Sequence, residues 1–224
     1  MRDKKIIAFV HAKGTSVRVK SKNMKTLGGK PLFCHAIENA INSKLVSEVV
    51  IDSENDTILS IGKEHGATTL KRPQKLASNE TSGDDLAYWQ ASNFKNSFIV
   101  LQVVPTAPFL RPESIDAAIL LLENSSADSV AAVYEEAFYE WKNGTPAYYD
   151  ESGRIPNSNM LKKITYETTG LYINKTKYVL ENRKRLNPMN CLPYLLSKIE
   201  SVDINTEEDF EFARILWRGL NSKL

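Results

Sequence analysis

The sequence predicts an α/β protein in which a parallel sheet carries helices on both faces. Three observations predict it. Strand-like and helix-like stretches alternate through the first half of the chain, in the order that βαβ units require. The run Phe98-Ile99-Val100-Leu101-Gln102-Val103-Val104 is apolar except at Gln102, as a strand covered on both faces should be. With 224 residues, 42% hydrophobic and 25% charged, the chain has the composition of a globular protein with one sizeable core, which argues against disorder and against a membrane protein.

The first strand is the apolar run Ile6 to Val10. It feeds directly into Ala12-Lys13-Gly14-Thr15-Ser16-Val17-Arg18-Val19-Lys20-Ser21-Lys22-Asn23. Gly14 lets an anion approach the backbone, successive N–H groups form a concave nest, and Lys13, Arg18, Lys20 and Lys22 add positive charge. Such a loop suits a nucleotide phosphate, although a solvated basic loop has the same composition. Gly28-Gly29 then makes a turn and Pro31 takes the first position of a helix, with Leu32, Phe33, Ala36, Ile37, Ala40 and Ile41 at helical spacing. Val49-Val50-Ile51 is the second strand, residues 56–65 a short helix closed by Gly66, and residues 67–70 a weak third strand.

A helix over 82–93 precedes the central strand, which Pro105-Thr106-Ala107-Pro108 ends abruptly. Pro112 opens a further helix carrying Ile115, Ala118, Ile119 and Leu122, and residues 129–133 form a short strand. From 134 to 166 the alternation gives way to aromatic and polar residues with Gly144, Pro146, Gly153 and Pro156, the pattern of an arm inserted in a single domain spanning 1–224. The chain returns to core at Gly170-Leu171-Tyr172-Ile173. Residues 201–204 read as a last strand, and Thr206 caps a last helix with Glu207, Glu208 and Asp209 in its first turn. Ligands of open α/β sheets bind beyond the carboxyl ends of strands, so the loops at 11–23, 52–55 and 105–111 should share one cleft.

Several classes of function are excluded or disfavoured. A net charge of +2 with no basic stripe disfavours nucleic acid. No P-loop or dinucleotide-binding glycine pattern is present, and His11, His35 and His65 have neither metal-ligand nor triad spacing. Two cysteines, Cys34 and Cys191, make no disulfide framework, and the charged start followed by five apolar residues is too short for a signal peptide, so a cytoplasmic location is expected.

Five segments, in order, resemble the cytidylyltransferases that activate nonulosonic and related ulosonic acids as CMP-sugars. They are the loop 12–23 with Gly28-Gly29-Lys30-Pro31-Leu32; Arg72-Pro73-Gln74-Lys75-Leu76-Ala77; Gln102 with residues 105–108; Thr169-Gly170-Leu171-Tyr172; and residues 202–210. The resemblance implies a three-layer α/β/α fold like that of nucleotide-diphospho-sugar transferases, with a mixed, mainly parallel sheet and an arm at 134–166 that dimerises the protein. It implies a reaction: the anomeric hydroxyl of a sialic, legionaminic or pseudaminic acid attacks the α-phosphate of CTP, pyrophosphate leaves, and Mg²⁺ assists. Phosphoryl-type chemistry asks the protein mainly for alignment and for stabilisation of moving negative charge. Lys13 and Lys22 would serve that need as catalytic residues. Ala12, Gly14, Ser16, Asn23, Arg72 and Ser82 would bind the nucleotide, and Gln102, Thr106, Glu167 and Tyr172 the sugar. Each has a plainer reading: Lys13 and Lys22 as solvated charges, Gln102 satisfying backbone, Thr106 capping the next helix.

The chain departs from the family at the metal site, where the usual Asp-x-Asp pair stands as Asp203 and Asn205 and so lacks one negative charge. Lys13 replaces the usual arginine, turning a bidentate clamp into a point charge, and the acidic pair after the second strand reads Glu54-Asn55 with Asp52 before it. These departures keep two rivals open. One is the same fold acting with another nucleotide or on an octulosonate; the other is a non-catalytic nucleotide- or sugar-binding relative.

Overall fold

The apolar runs become strands at the centre of a seven-stranded sheet. The computed structural model describes residues 5–15, 19, 21–147, 149 and 152–222. Strands β1 (Ile6–His11), β2 (Thr26–Leu27), β3 (Lys30–Pro31), β4 (Glu48–Ser53) and β5 (Thr68–Lys71) come first, then β6 (Ile99–Val103) and β7 (Ser129–Glu136). After these come β8 (Trp141–Lys142), β9 (Thr145–Pro146), β10 (Ile164–Lys175) and β11 (Cys191–Leu195). The helices are α1 (Leu32–Ile41), α2 (Asp56–Glu64), α3 (Gly83–Asn93), α4 (Pro112–Glu123), α5 (Thr176–Asn182) and α6 (Glu207–Asn221). The main sheet has the order β11-β7-β10-β6-β1-β4-β5, and β10 is the strand antiparallel to both of its neighbours.

Strand alternation divides β1 between two layers. Ile6, Ala8 and Val10 pack with Phe33, Ile37 and Ala40 of α1 and with Ile115, Ile119 and Leu122 of α4. Ile7 and Phe9 pack on the other face with Ala87 and Ala91 of α3 and Val179 of α5. The expected helix–sheet–helix layering is therefore present. Chain order reverses beside β1, which pairs with β4 on one side and β6 on the other, so the switch point of the sheet lies at the ends of β1 and β6.

The region 134–166 extends out of this sheet. β7 and β10 run on past the core as an antiparallel pair to Glu136 and Ile164, with the small hairpin β8–β9 between them. Phe138, Tyr139, Trp141, Ile155 and Met160 of this arm are exposed.

Two expectations need correction, and one strand was not foreseen. Residues 201–204 make no ladder; the Ile204 N–H donates to the Thr106 carbonyl at 2.9 Å, a loop contact that takes the place of strand pairing. The sheet edge is filled by β11, whose short run Cys191-Leu192-Pro193-Tyr194-Leu195 is interrupted by Pro193, a residue that hides strand character and is confined to edge strands. Pro31 stands at the cap position of α1 and not inside its first turn.

The N-terminus of α4 shows how distant residues complete local structure. Its cap residue, Arg111, offers no side-chain cap. Glu200, buried at 2% exposure, replaces one: it accepts from the Arg111 N–H at 3.2 Å, Ser114 Oγ at 2.5 Å, Arg111 Nη2 at 3.0 Å and Ser197 Oγ at 2.7 Å. Burial alone would raise its pKa, but these bonds, led by those from Arg111, Ser114 and Ser197, bring it below the ordinary glutamate value. Its stabilising contribution is thus present at neutral pH and lost as pH falls through that depressed value. Glu200→Ala should lower the unfolding free energy by roughly 3 kcal/mol in urea titrations at pH 7, because donors are left buried without an acceptor; the loss should shrink at acid pH.

Candidate functional site

A cavity of about 560 Å³ opens at the carboxyl ends of β1 and β6. His11 and Lys13 reach it from the end of β1, Lys22 and Asn23 from the basic loop, Arg72 from the end of β5, Asn79 from the loop before α3, and Thr106 from the end of β6. Five residues expected from sequence thus meet in one place: Lys13, Lys22, Asn23, Arg72 and Thr106. Their convergence follows from topology, since parallel strands present all their carboxyl ends on one edge.

The basic loop is tied down from several sides. Asn23 Nδ2 donates to the Lys13 carbonyl at 3.0 Å, so Asn23 shapes the loop. Lys13 Nζ donates to Asn79 Oδ1 at 2.5 Å, and Lys22 Nζ donates to the Ile204 carbonyl at 2.7 Å, joining the loop to the segment that holds Asp203 and Asn205. Ala12 is fully buried and acts through its backbone, whose N–H donates to the Asp52 carbonyl at 3.0 Å. The Gly14 N–H donates to Glu54 Oε1 at 2.7 Å, so a carboxylate occupies the donor expected to face a phosphate. A Cβ at position 14 would stand 2.6 Å from Asn55 Nδ2, which explains the glycine. Ser16 lies outside the described residues.

Arg72 is anchored from beneath. Its Nε donates to Asp52 Oδ1 at 2.9 Å and its Nη2 to the Asp52 carbonyl at 2.7 Å, both fully inside the protein. Asp52 Oδ2 accepts from Gln90 Nε2 at 2.8 Å, and Gln90 Oε1 accepts from Gln102 Nε2 at 2.8 Å. Gln102 therefore bonds a side chain, and its Oε1 is buried without a partner. Ser82 caps α3 in a reciprocal box with Asp85, and the cavity wall beside it is built from Ser78, Asn79 and Thr81 instead. Thr106 makes no cap for α4, whose cap residue is Arg111.

Tyr172 sits directly opposite Gln102 in the β6–β10 ladder. Between Glu167 and Tyr172 the register with β7 shifts: five steps along β10 answer two along β7, from Val133 to Ala131. The three extra residues restore both side chains to one face, and the Tyr172 hydroxyl donates to Glu167 Oε2 at 3.0 Å. Burial is the main reason that the tyrosine pKa is pushed up to about 12. Gly170 lies within the shift, where a Cβ would meet the Ala107 Cβ at 2.7 Å. Arg185 lays its guanidinium over the Tyr172 ring, 3.8 Å from the centroid, and packs against Gly83 at the start of α3. No carboxylate pairs with Arg185 among the described residues.

Asp203 and Asn205 stand next to the loop through Lys22 and Ile204. Asp203 Oδ2 accepts from Thr169 Oγ1 at 3.1 Å and from Asn205 Nδ2 at 2.5 Å, while Asp203 Oδ1 is buried without a partner. Among the described residues no three metal-ligating side chains of the His, Cys, Asp and Glu set gather anywhere. A hard cation that needs one or two carboxylates plus phosphate and water oxygens nevertheless fits the free Asp203 oxygen. As oriented, Asn205 donates toward Asp203 and offers no second anionic ligand.

A family model described as cytidylyltransferase matches residues 7–216. The chain belongs to the cytidylyltransferase family. Over 96% of its length and 97% of the relative's it is 28% identical to a pseudaminic acid cytidylyltransferase of Campylobacter jejuni. It is also 28% identical to a CMP-N,N'-diacetyllegionaminic acid synthase of Legionella pneumophila, over 92% and 93% of the two chains. An N-acylneuraminate cytidylyltransferase of Escherichia coli is 26% identical over 93% of this chain and 51% of its own. In fold, the protein matches a CMP:2-keto-3-deoxy-manno-octonic acid synthetase solved with CTP, at a TM-score of 0.71 and 14% identity, covering 96% of this chain and 99% of that one.

Four residues at or behind the cavity carried no assignment from the sequence: His11 lines it, Asp52 and Gln90 stand behind Arg72, and Arg185 stacks on Tyr172. Local sequence gives no signal for Gln90 or Arg185, which depend on contacts across the sheet. His11 pairs in register with Asp52, and its Nδ1 is buried without a partner. Burial foremost, then the positive charges of Arg72 and Arg185, lower its pKa to about 3, so the ring is neutral at neutral pH. Unfolding restores the ordinary value, so protonation favours the unfolded chain between roughly pH 6.5 and 3. His11→Gln should therefore gain on the parent protein as pH falls, by roughly 2 kcal/mol at pH 5 relative to their difference at pH 8, measured by denaturant titration.

Proposed function

We propose that this protein joins CTP to a nonulosonic acid of the pseudaminic, legionaminic or sialic type, giving a CMP-sugar and pyrophosphate. The observation that carries the reading is the similarity, over more than nine-tenths of this chain, to relatives named for three different nonulosonic acids and one nucleotidyl transfer. The cavity supplies groups suited to that chemistry. In this reading the triphosphate lies across the basic loop, where Lys13 and Lys22 offset charge that moves onto the leaving pyrophosphate. Glu54 leaves the Gly14 N–H when the nucleotide enters, because a phosphate oxygen replaces its carboxylate. Arg72, held rigid by Asp52, forms the wall toward the base and ribose together with the 78–82 loop. Neutral His11 adds no charge to this wall and offers a nitrogen to the nucleotide.

The sugar acid lies on the Gln102, Thr106 and Tyr172 side. Arg185, stacked on Tyr172 and lacking an anionic partner among the described residues, supplies the cation for the acid's carboxylate. Asp203 would hold Mg²⁺, with Asn205 reaching at most a water of the ion. The metal supplies charge neutralisation between the phosphate groups when bound. The same reading includes a homodimer formed through the arm, supported by the exposure of Trp141 and Met160 at 63% and 73%. It also includes a cytoplasmic setting, where CTP is available, and a product used as an activated donor for surface glycans. Among the described residues no helix is long and apolar enough to cross a membrane.

Pyrophosphate release with CTP, UTP, ATP or GTP against a panel of nonulosonic and octulosonic acids tests the reading; turnover confined to an octulosonate, or to another nucleotide, would overturn it. Lys22→Met should lower kcat/KM by about 100-fold while the melting temperature changes little, since a half-buried side-chain hydrogen bond such as that to the Ile204 carbonyl contributes only about 1 kcal/mol to folding. Asn205→Asp should lower the Mg²⁺ concentration needed for half-maximal rate by about tenfold; an unchanged requirement removes position 205 from the metal site.

A further inference from the structure

Four buried polar side chains form one unbranched chain of hydrogen bonds: Arg72 to Asp52, Asp52 to Gln90, Gln90 to Gln102. All are shut away from water, at 4%, 0%, 1% and 3% exposure. Two of the links have no choice of direction. A guanidinium only donates, and a carboxylate only accepts. Gln90 must therefore turn its amide nitrogen to Asp52, which leaves its oxygen for the next link. Gln102 must in turn present its nitrogen to that oxygen. The far end of the chain is then a carbonyl oxygen, and it is this atom, Gln102 Oε1, that stands buried with no partner. Turning either amide over would set two acceptors or two donors face to face in a dry interior, at a cost of a few kcal/mol.

We propose that Asp52 and Gln90 are positioning residues that fix the polarity of Gln102, so that the group of the sugar acid it reads is a hydrogen-bond donor, a hydroxyl or an amide N–H, and not the carboxylate. The inference rests on the nonulosonate reading above and deepens it. The two ends of the sugar side then have opposite chemistry: an acceptor at Gln102, and beside it the Arg185 cation over Tyr172, the ladder partner of Gln102. A ligand bound the wrong way round would face its carboxylate to a fixed carbonyl and its hydroxyl to a cation. An unpaired buried acceptor is unfavourable in the empty protein, so the arriving donor gains what a freely rotating amide would not.

The test compares two substitutions at Gln90, which touches no reactant, using N-acetylneuraminic, legionaminic and pseudaminic acids as probes. Gln90→Met keeps the volume but frees the Gln102 amide. Gln90→Glu keeps the polarity, because a carboxyl beside Asp52 shares one proton, donates it to Asp52 and accepts from Gln102 with its other oxygen. The expected result is a rise of about tenfold in KM for the sugar acid in Gln90→Met, with kcat and the KM for CTP within about twofold, and recovery to within about threefold of the parent in Gln90→Glu. In parallel, the Gln102 side-chain amide protons, followed by NMR in the nucleotide-free protein, should exchange slowly in the parent and fast in Gln90→Met. Equal impairment by the two variants, a KM for CTP that rises with that for the sugar, or unchanged protection of the Gln102 amide would each overturn the inference while leaving the proposed reaction intact. A parent protein that turns over none of the three acids would overturn the proposed reaction, and this inference with it.

Discussion

Asp52 is the point on which the site depends. One residue at the end of β4 holds the start of the basic loop through the Ala12 N–H, the cavity wall through Arg72, and α3 through Gln90. Three segments far apart in sequence meet on its carbonyl and carboxylate. As a stabilising device a buried ion pair is poor, because desolvation consumes most of its Coulombic gain. Its contribution is geometric: a carboxylate with no exposed surface accepts only from donors that arrive in one arrangement, and that arrangement is the site.

Much of this was legible in the sequence, and particular residues show where legibility stopped. Strands β1, β4 and β6 are fixed by burial on both faces, which leaves an apolar run that needs no partner to be recognised. The end of α2 and the start of α3 are fixed by local chemistry, at Gly66 and at the Ser82–Asp85 box. Lys13, Lys22, Asn23 and Thr106 were legible because loops at strand ends must share an edge, and Arg72 only through the segment 72–77 that carries the family resemblance. β11 was not, since Pro193 interrupts a run of only five residues that pairing with β7 alone makes a strand. Residues 201–204 misled for the opposite reason, being apolar enough for a strand while their hydrogen bonds go to a loop. Arg185 and Gln90 carry no local pattern; only the sheet brings them to Tyr172 and Asp52.

Two carboxylates near the basic loop have exchanged the expected division of labour. Glu54 binds the Gly14 backbone N–H, and Asp203 keeps one oxygen unpartnered while Asn205 donates to the other. The loop is therefore satisfied by its own carboxylate at Gly14, while a buried oxygen of Asp203 is left without a partner. Negative charge is placed where it holds a loop, and at the pair Asp203 and Asn205 only one side chain carries a charge.

The register shift in β10 has a consequence for how the molecule can change. A strand that runs unbroken from core to arm would lock the two in phase, so that adding one residue to the arm would turn every following side chain to the wrong face. Here three residues around Thr169, whose φ of 57° lies in the left-handed region, break that phase relation before Tyr172 is reached. The arm is thus a replaceable module: its length and pairing can be rewritten while Tyr172 keeps its place opposite Gln102.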